Sequence, residues 1–175
     1  TPTPGTINNL VVYIRFSGEP EFTETKVKYD TMFNSGIANA NSMYNYFREV
    51  SYNALSINST FYPTTAGSTV ISYQDINPRG YFQPYSVTNT IGYSGGSNGT
   101  ERRTREHTLL VNAVNYVSSQ VSPSLVLDGD NDGSVDNVCF IIYGSPGAWA
   151  ELLWPHRWAL YTYTVNINGK RVYDY

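Results

Sequence analysis

The 175-residue sequence has little charge, one cysteine and no long apolar run. Charged residues make up 14% of the chain, against about 25% in typical soluble proteins. The formal net charge of -3 excludes the strong positive field that a nucleic-acid-binding surface needs. The longest apolar run, residues 138–143, is far shorter than the roughly 20 residues that span a bilayer. We therefore expect neither nucleic-acid binding nor a membrane span.

Motifs for several kinds of catalysis are also missing. The sequence has no H-E-x-x-H zinc motif, no G-x-S-x-G nucleophile motif and no glycine-rich phosphate loop. The lone cysteine, Cys139, lies inside the apolar run and has no second thiol to pair with, so we interpret it as a packing residue. Low charge, few lysines and many hydroxyl and amide side chains favour a protein that is secreted or held at the bacterial cell surface.

Apolar patterns predict a mixed α/β domain. The prolines and the glycine near the start predict a tether over residues 1–8, followed by a single domain over residues 9–175. Residues 10–16 and 138–143 are nearly continuous apolar runs, which are typical of buried central strands. Residues 55–62 and 161–165 alternate as strands do, and the second of these precedes a turn at Asn168 and Gly169.

Helical periodicity occurs in two regions. Residues 27–47 space their apolar side chains as two short helices separated by Ser35 and Gly36. Residues 101–121 carry apolar side chains along one face and give the clearest helix in the chain. We interpret the arginines in the first turns of this helix as a solvated face. Residues 63–100 lack clear periodicity and are predicted to form a long surface excursion.

The strongest chemical signal is the pattern D-x-D-x-D-G-x-x-D over residues 128–136. Alternate acids place hard oxygen ligands on one side of a tight turn, and Gly133 allows the sharp bend. The twelfth loop position, a glutamate in the EF-hand, is Cys139 here, so Asp136 would act in its place, directly or through water. The alternative is an aspartate-rich turn that binds no ion. We predict a structural calcium site formed by Asp128, Asp130, Asp132, the carbonyl of Ser134, and Asp136.

The chain has two histidines, His107 and His156. His156 lies between two tryptophans and is either a ligand, a general acid or an oxyanion donor, or an imidazole packed among aromatic rings with its nitrogens bonded to the backbone. We favour the packed arrangement and keep His156 as the only catalytic candidate. His107 shares a helix stripe with Leu110 and Val114, which indicates a buried side chain. Two histidines so far apart make no catalytic zinc site without further ligands.

Four segments in order carry a family resemblance. They are N-L-V-V-Y-I-R-F-S at residues 9–17, S-M-Y-N-Y-F-R-E-V-S-Y-N-A-L-S at 42–56, L-D-G-D-N-D-G-S-V-D-N-V at 127–138 and L-W-P-H-R-W at 153–158. Together they resemble the first half of the catalytic domain of immune inhibitor A-like metallopeptidases, which belong to the zincin class. The resemblance implies a zincin-like N-terminal subdomain, in which a long helix backs a mixed twisted sheet and a calcium loop precedes a central strand.

The resemblance also implies a function for a longer protein. In that family the H-E-x-x-H helix comes after a strand like residues 161–165, so the zinc ligands would lie beyond Tyr175, in a missing second half of the catalytic domain. The longer protein would be a secreted zinc endopeptidase, in which zinc-activated water attacks a carbonyl of a protein or peptide substrate. This chain alone would be an inactive scaffold. The residues leave open a calcium-stabilised, non-catalytic module that binds glycans or proteins at the bacterial surface.

Overall fold

The computed structural model describes residues 5–96 and 99–175 and is a mixed α/β structure. Its main sheet contains the strands β1 (Gly5–Arg15), β2 (Leu55–Tyr62), β3 (Tyr73–Gln74) and β4 (Asn137–Ile142). Its helices are α1 (Lys26–Asn34), α2 (Met43–Val50) and α3 (Thr100–Val117). A small hairpin is formed by β5 (Asn166–Ile167) and β6 (Lys170–Arg171). None of the helices in the described part of the chain has the length and apolar character needed to cross a membrane.

β1 is the centre of the main sheet, and all of its pairings are parallel. β2 and β3 succeed each other along one edge of β1, and β4 pairs with the opposite edge. Residues 10–14 are buried on both faces of the sheet, which explains why the run is continuously apolar rather than alternating. The predicted central strand, the strand over residues 55–62 and the strand that begins near residue 138 are confirmed.

The start of β1 corrects one prediction. The tether predicted over residues 1–8 is wrong for residues 5–8, because these residues pair with β2, with Gly5 opposite Leu55 and Asn8 opposite Asn58. This pairing satisfies backbone N–H and C=O groups that a free tether would leave to water. Residues 5–8 are exposed or only partly buried, so their side chains do not show the apolar run that marks the rest of the strand. Residues 1–4 of the predicted tether lie outside the described residues.

Alternate side chains of β1 face opposite layers of helices. Leu10, Val12 and Ile14 belong to one apolar cluster with the buried face of α3. Tyr13 faces the other way, and its ring centroid lies 5.1 Å from that of Tyr29 in α1. The helix predicted over residues 101–121 is therefore confirmed as α3, extended by the 3-10 turn Ser118–Gln120, and it covers one face of the sheet. The two predicted short helices are confirmed as α1 and α2.

Residues 161–165 do not form the predicted strand. Tyr161 and Thr162 both contact His107. The ring centroids of Tyr161 and His107 are 5.2 Å apart, and Thr162 Oγ1 lies 2.7 Å from His107 Nδ1. Consecutive side chains of a strand point to opposite faces of the sheet. Two consecutive residues that both contact the same histidine are therefore incompatible with regular strand geometry. The ladder begins only at Asn166, and the predicted turn at Asn168 and Gly169 joins β5 to β6.

The first turns of α3 correct another prediction. Arg102 has 8% of its surface exposed, so the arginines here are not a solvated face. The guanidinium of Arg105 lies over the ring of Tyr81, with 3.7 Å between the guanidinium carbon and the ring centroid. Arginine packs its stem and its planar head on aromatic rings more readily than its charge suggests.

Candidate functional site

The loop before β4 folds around the carboxylate of Asp128. Asp128 has 6% of its surface exposed. The backbone N–H groups of Asp132 and Gly133 donate hydrogen bonds to its two carboxylate oxygens at 2.9 and 3.0 Å. Asn131 and Gly133 have left-handed φ values of 61° and 91°, which turn the chain back on itself.

Three carboxylates of the loop lie close together. One oxygen each from Asp128, Asp130 and Asp136 is within 4.8 Å of the other two. Asp132 is not in this group; its carboxylate accepts a hydrogen bond from the N–H of Ser134 at 2.7 Å. Within residues 5–96 and 99–175, this is the only group of three or more histidine, cysteine or acidic side chains close enough to share a metal ion. The described residues therefore contain no comparable set of zinc ligands.

The pKa values of two aspartates in the loop, Asp128 and Asp136, are shifted in opposite directions. Burial raises the pKa of Asp136 above its usual value, and the negative charges of the neighbouring aspartates raise it further. Lys170 Nζ lies 2.7 Å from Asp128 Oδ2, and this hydrogen bond lowers the pKa of Asp128. The positive charge of Lys170 offsets the negative charge of Asp128, but it does not remove the repulsion between Asp136 and the neighbouring aspartates. A hard divalent cation would relieve that repulsion, and calcium prefers several oxygen ligands, so the residues fit calcium.

Backbone hydrogen bonds connect the aspartate loop to the hairpin. Val135 N–H donates to the carbonyl of Arg171 at 2.8 Å, and Arg171 N–H donates to the carbonyl of Gly133 at 2.9 Å. Lys170, the partner of Asp128, belongs to the same hairpin. A cation in the loop would therefore stabilise the approach to β4 and the hairpin together.

A second cluster of polar groups lies on α3. Glu106 has 3% of its surface exposed, and its Oε1 accepts hydrogen bonds from His156 Nε2 and from the Tyr175 hydroxyl, both at 2.7 Å. The other ring nitrogen of His156, Nδ1, lies 2.5 Å from the carbonyl oxygen of Trp154. Glu106 Oε2 is buried and has no hydrogen-bond partner among residues 5–96 and 99–175. One buried carboxylate thus connects α3 to two distant segments of the chain.

The partners of His156 fix its protonation. A carbonyl and a carboxylate accept hydrogen bonds, so each ring nitrogen donates only if both carry a proton, as in the imidazolium ion. The hydrogen bond to Glu106 raises the pKa of His156, while burial and the charge of Arg102 oppose this rise. The pKa of Tyr175 lies above its usual range because of burial and the charge of Glu106. The geometry of the cluster therefore favours the charged form of His156, next to a phenol that stays neutral.

His107 lies beside this cluster, but its pKa is shifted in the opposite direction to that of His156. It is fully buried, its ring centroid lies 5.2 Å from that of Trp158, and its Nε2 has no hydrogen-bond partner among the residues that the structure describes. Burial lowers the pKa of His107 below its usual value. The predicted buried position of His107 is confirmed, and its side chain is neutral at neutral pH.

The two histidines should titrate on opposite sides of pH 6.5, their ordinary pKa. We expect the pKa of His156 to lie above this value, because Glu106 stabilises the charged ring. We expect the pKa of His107 to lie below it, because burial disfavours the charged form. An NMR titration of the ring protons measures both midpoints. The His156→Gln variant should remove the upper transition only. Two midpoints on the same side of 6.5 would contradict the structure.

A cavity of about 580 Å³ lies between α3, β4 and residues 152–157. Residues 138–142 of β4 line it, and they include Cys139, whose thiol pKa burial raises. Glu106, His156 and Tyr175 also line it. Most of the remaining wall is apolar and includes Leu109, Leu110, Leu152, Leu153 and Pro155. The pair of Glu106 on α3 and His156 therefore borders a largely apolar space.

The structure shows how far the favoured arrangement of His156 was right. Its ring lies among aromatic side chains, with centroids 6.4 Å from Trp158 and 6.1 Å from Tyr175. One nitrogen bonds to the backbone, as predicted, but the other bonds to Glu106, which sequence analysis missed. An acid on the same helix stripe as Leu109 and Leu110 was the signal that could have identified it, because acids are rarely buried unless they are paired.

Comparisons with known proteins give no family for this chain. No model of a known protein family matches it, and no curated protein matches it. The functional assignment therefore rests on the residues and the geometry described above.

Proposed function

We propose that this chain is the scaffold part of a secreted zinc-dependent endopeptidase of the zincin class, similar to immune inhibitor A-like metallopeptidases. The observation that carries the proposal is the aspartate loop, which leads into β4 with three carboxylates within 4.8 Å of one another. The resemblance implies such a loop in front of a strand, and a long helix behind the sheet. A fold in which α3 backs the parallel sheet around β1 is compatible with that arrangement.

The loop would hold a structural calcium ion. Asp128, Asp130 and Asp136 are the proposed carboxylate ligands, and Asp132 and the Ser134 carbonyl complete the set that the pattern predicts. The ion would offset the repulsion among the carboxylates and hold the loop against β4 and the hairpin. Because the loop leads into a strand rather than a second helix, the ion would stabilise the scaffold rather than open a binding groove.

The catalytic zinc would belong to the other half of the domain. Bound there, the zinc would activate a water for attack on a peptide carbonyl. Within the described residues, β4 pairs with β1 on one edge and has no strand partner on the other, where the cavity lies. An open strand edge beside an apolar cavity favours packing against further polypeptide. We propose that this face packs against the half that carries the zinc ligands.

A calcium-stabilised binding module is the second candidate. Trp149 and Tyr85 are 80% and 55% exposed, and both line a hollow of about 480 Å³ together with Glu151. Aromatic rings beside a polar group are a common arrangement in small-molecule sites, and they suit stacking on a sugar ring. This candidate predicts glycan binding by the 175-residue chain itself, which Trp149→Ala would abolish.

Proteolysis by the longer polypeptide tests the first proposal. We expect a protein that extends beyond Tyr175 to carry an H-E-x-x-H helix and to hydrolyse an unstructured substrate such as casein. A zinc chelator should abolish this hydrolysis and added zinc should restore it, whereas the 175-residue chain should hydrolyse nothing. A longer protein without the motif, or with an intact motif and no zinc-dependent hydrolysis, would overturn the proposal. Glycan binding by the isolated chain would then favour the second candidate.

A further inference from the structure

Residues 154–157 form part of the wall of the 580 Å³ cavity, and His156 connects them to α3. Trp154, Pro155, His156 and Arg157 all line the cavity. The His156 ring bridges two groups, with Nδ1 at 2.5 Å from the Trp154 carbonyl of its own segment and Nε2 at 2.7 Å from Glu106 of α3. The imidazole of His156 hydrogen-bonds this segment to the helix, with both nitrogens facing acceptors, and Trp158, the residue that follows the segment, packs on His107 of α3 with 5.2 Å between the ring centroids.

We propose that protonated His156 latches residues 154–157 against α3, and that loss of its proton releases this segment and opens the cavity beside β4. The neutral ring has one N–H, so it can donate to the Trp154 carbonyl or to Glu106 but not to both. Whichever nitrogen keeps the proton, the lone pair of the other nitrogen then faces an oxygen atom that can only accept hydrogen bonds. The closed state, in which both ring nitrogens of His156 donate hydrogen bonds, therefore requires the imidazolium ion.

The surroundings of Glu106 strengthen this dependence. Within the described part of the chain its buried Oε2 has no hydrogen-bond partner, and its Oε1 would keep only the Tyr175 hydroxyl after the bond to His156 is lost. A buried carboxylate with so few donors is unfavourable, so the cavity would admit water when the ring becomes neutral. This inference does not depend on zinc, on calcium or on proteolysis.

The charged and titratable groups that face His156 come from several elements. Glu106 and Arg102 lie on α3 and act in opposite directions on the ring, with Glu106 dominant. Tyr175 lies near the ring as a neutral phenol, and Cys139 of β4 lines the same cavity. Arg157 pairs with Asp174 at 2.7 Å on the surface, where both side chains are more than half exposed. Proton loss from His156 would remove the positive charge that Glu106 and Tyr175 face.

The single thiol of the chain reports the state of the latch. Cys139 lines the cavity and is the only cysteine, so its rate of reaction with 4,4′-dithiodipyridine measures access to this space. Each rate is divided by that of N-acetylcysteine at the same pH, which removes the ordinary thiol titration. Between about pH 5.5 and 8.5 we expect the normalised rate to rise about tenfold, with the same midpoint as the His156 NMR transition.

Three variants separate the latch from other pH effects. His156→Gln should react at the fast rate at every pH, because its single amide nitrogen cannot reach both acceptors that the two ring nitrogens of His156 reach. Glu106→Gln keeps an acceptor but removes the charge, so its midpoint should fall. Arg157→Gln, in the same segment, should keep the wild-type midpoint. A normalised rate that stays constant while His156 titrates, or a step that persists in His156→Gln, would overturn the proposal.

Discussion

Calcium should raise the melting temperature of the chain, and Asp130→Ala should remove this rise. At a calcium concentration one hundred times its dissociation constant, binding to the folded state adds about 2.7 kcal/mol. For a chain of this size that corresponds to about 5–10 °C. Asp130 is the suitable position because its carboxylate belongs to the group of three. Differential scanning calorimetry in calcium and in chelator measures the effect.

Two further variants make the calcium test specific. Asp132→Ala should lower the melting temperature even in chelator, because the carboxylate of Asp132 accepts the N–H of Ser134 and so supports the turn. Lys170→Met should tighten calcium binding about fivefold, since it removes a cation that is bonded to Asp128. Equal melting temperatures of the wild-type chain with and without calcium would exclude the site.

Removing the carboxylate of Glu106 should be the most destabilising change in the second cluster. Glu106→Ala should lower the free energy of unfolding by about 3 kcal/mol at slightly acidic pH, because it leaves a partly buried imidazolium without its counter-charge. It also leaves the Tyr175 hydroxyl without the acceptor at 2.7 Å. Urea denaturation measures the loss. The loss in Glu106→Ala should be smaller in a His156→Ala background, since the unpaired charge is then absent.

The deficit of Glu106→Ala should also depend on pH in a defined direction. Because the folded pKa of His156 is raised above 6.5, the pair stabilises the protein fully below that value. The contribution is lost as the pH rises through the higher folded pKa. The difference between wild type and Glu106→Ala should therefore shrink in alkaline solution. An equal deficit at both ends of the pH range would contradict an ion pair.

The parts of the fold that sequence analysis predicted are those with strong local patterns. The continuous apolar run of β1 marks a strand buried on both faces, and the apolar stripe of α3 marks a helix with one buried face. The aspartate pattern lies in a loop before β4, as predicted, because its members fall within nine residues of one another, while their role as calcium ligands stays a prediction. Asp128, Asp130 and Asp136 converge there, whereas the hydrogen bond of Asp132 depends on backbone detail that no pattern contains.

The parts that could not be predicted depend on contacts between distant residues. His156 reaches Glu106 across 50 positions, and Tyr175 reaches Glu106 across 69. Lys170 reaches Asp128 across 42 positions, so no local signal marks it as part of the calcium loop. Residues 161–165 alternate as a strand does, but packing on His107 outweighs that local preference.

The pairing of β1 with β4 has a consequence for biosynthesis. Asn9 lies opposite Asn137, 128 positions later in the chain. Since ribosomes add about 5–20 residues per second, β1 would wait roughly 6–25 s for this partner. β2 can protect one edge of β1 early, but the other edge stays open beside the apolar residues 10–14. An open edge beside apolar side chains is prone to pair with other chains, so β1 is most exposed to aggregation while β4 is not yet paired with it.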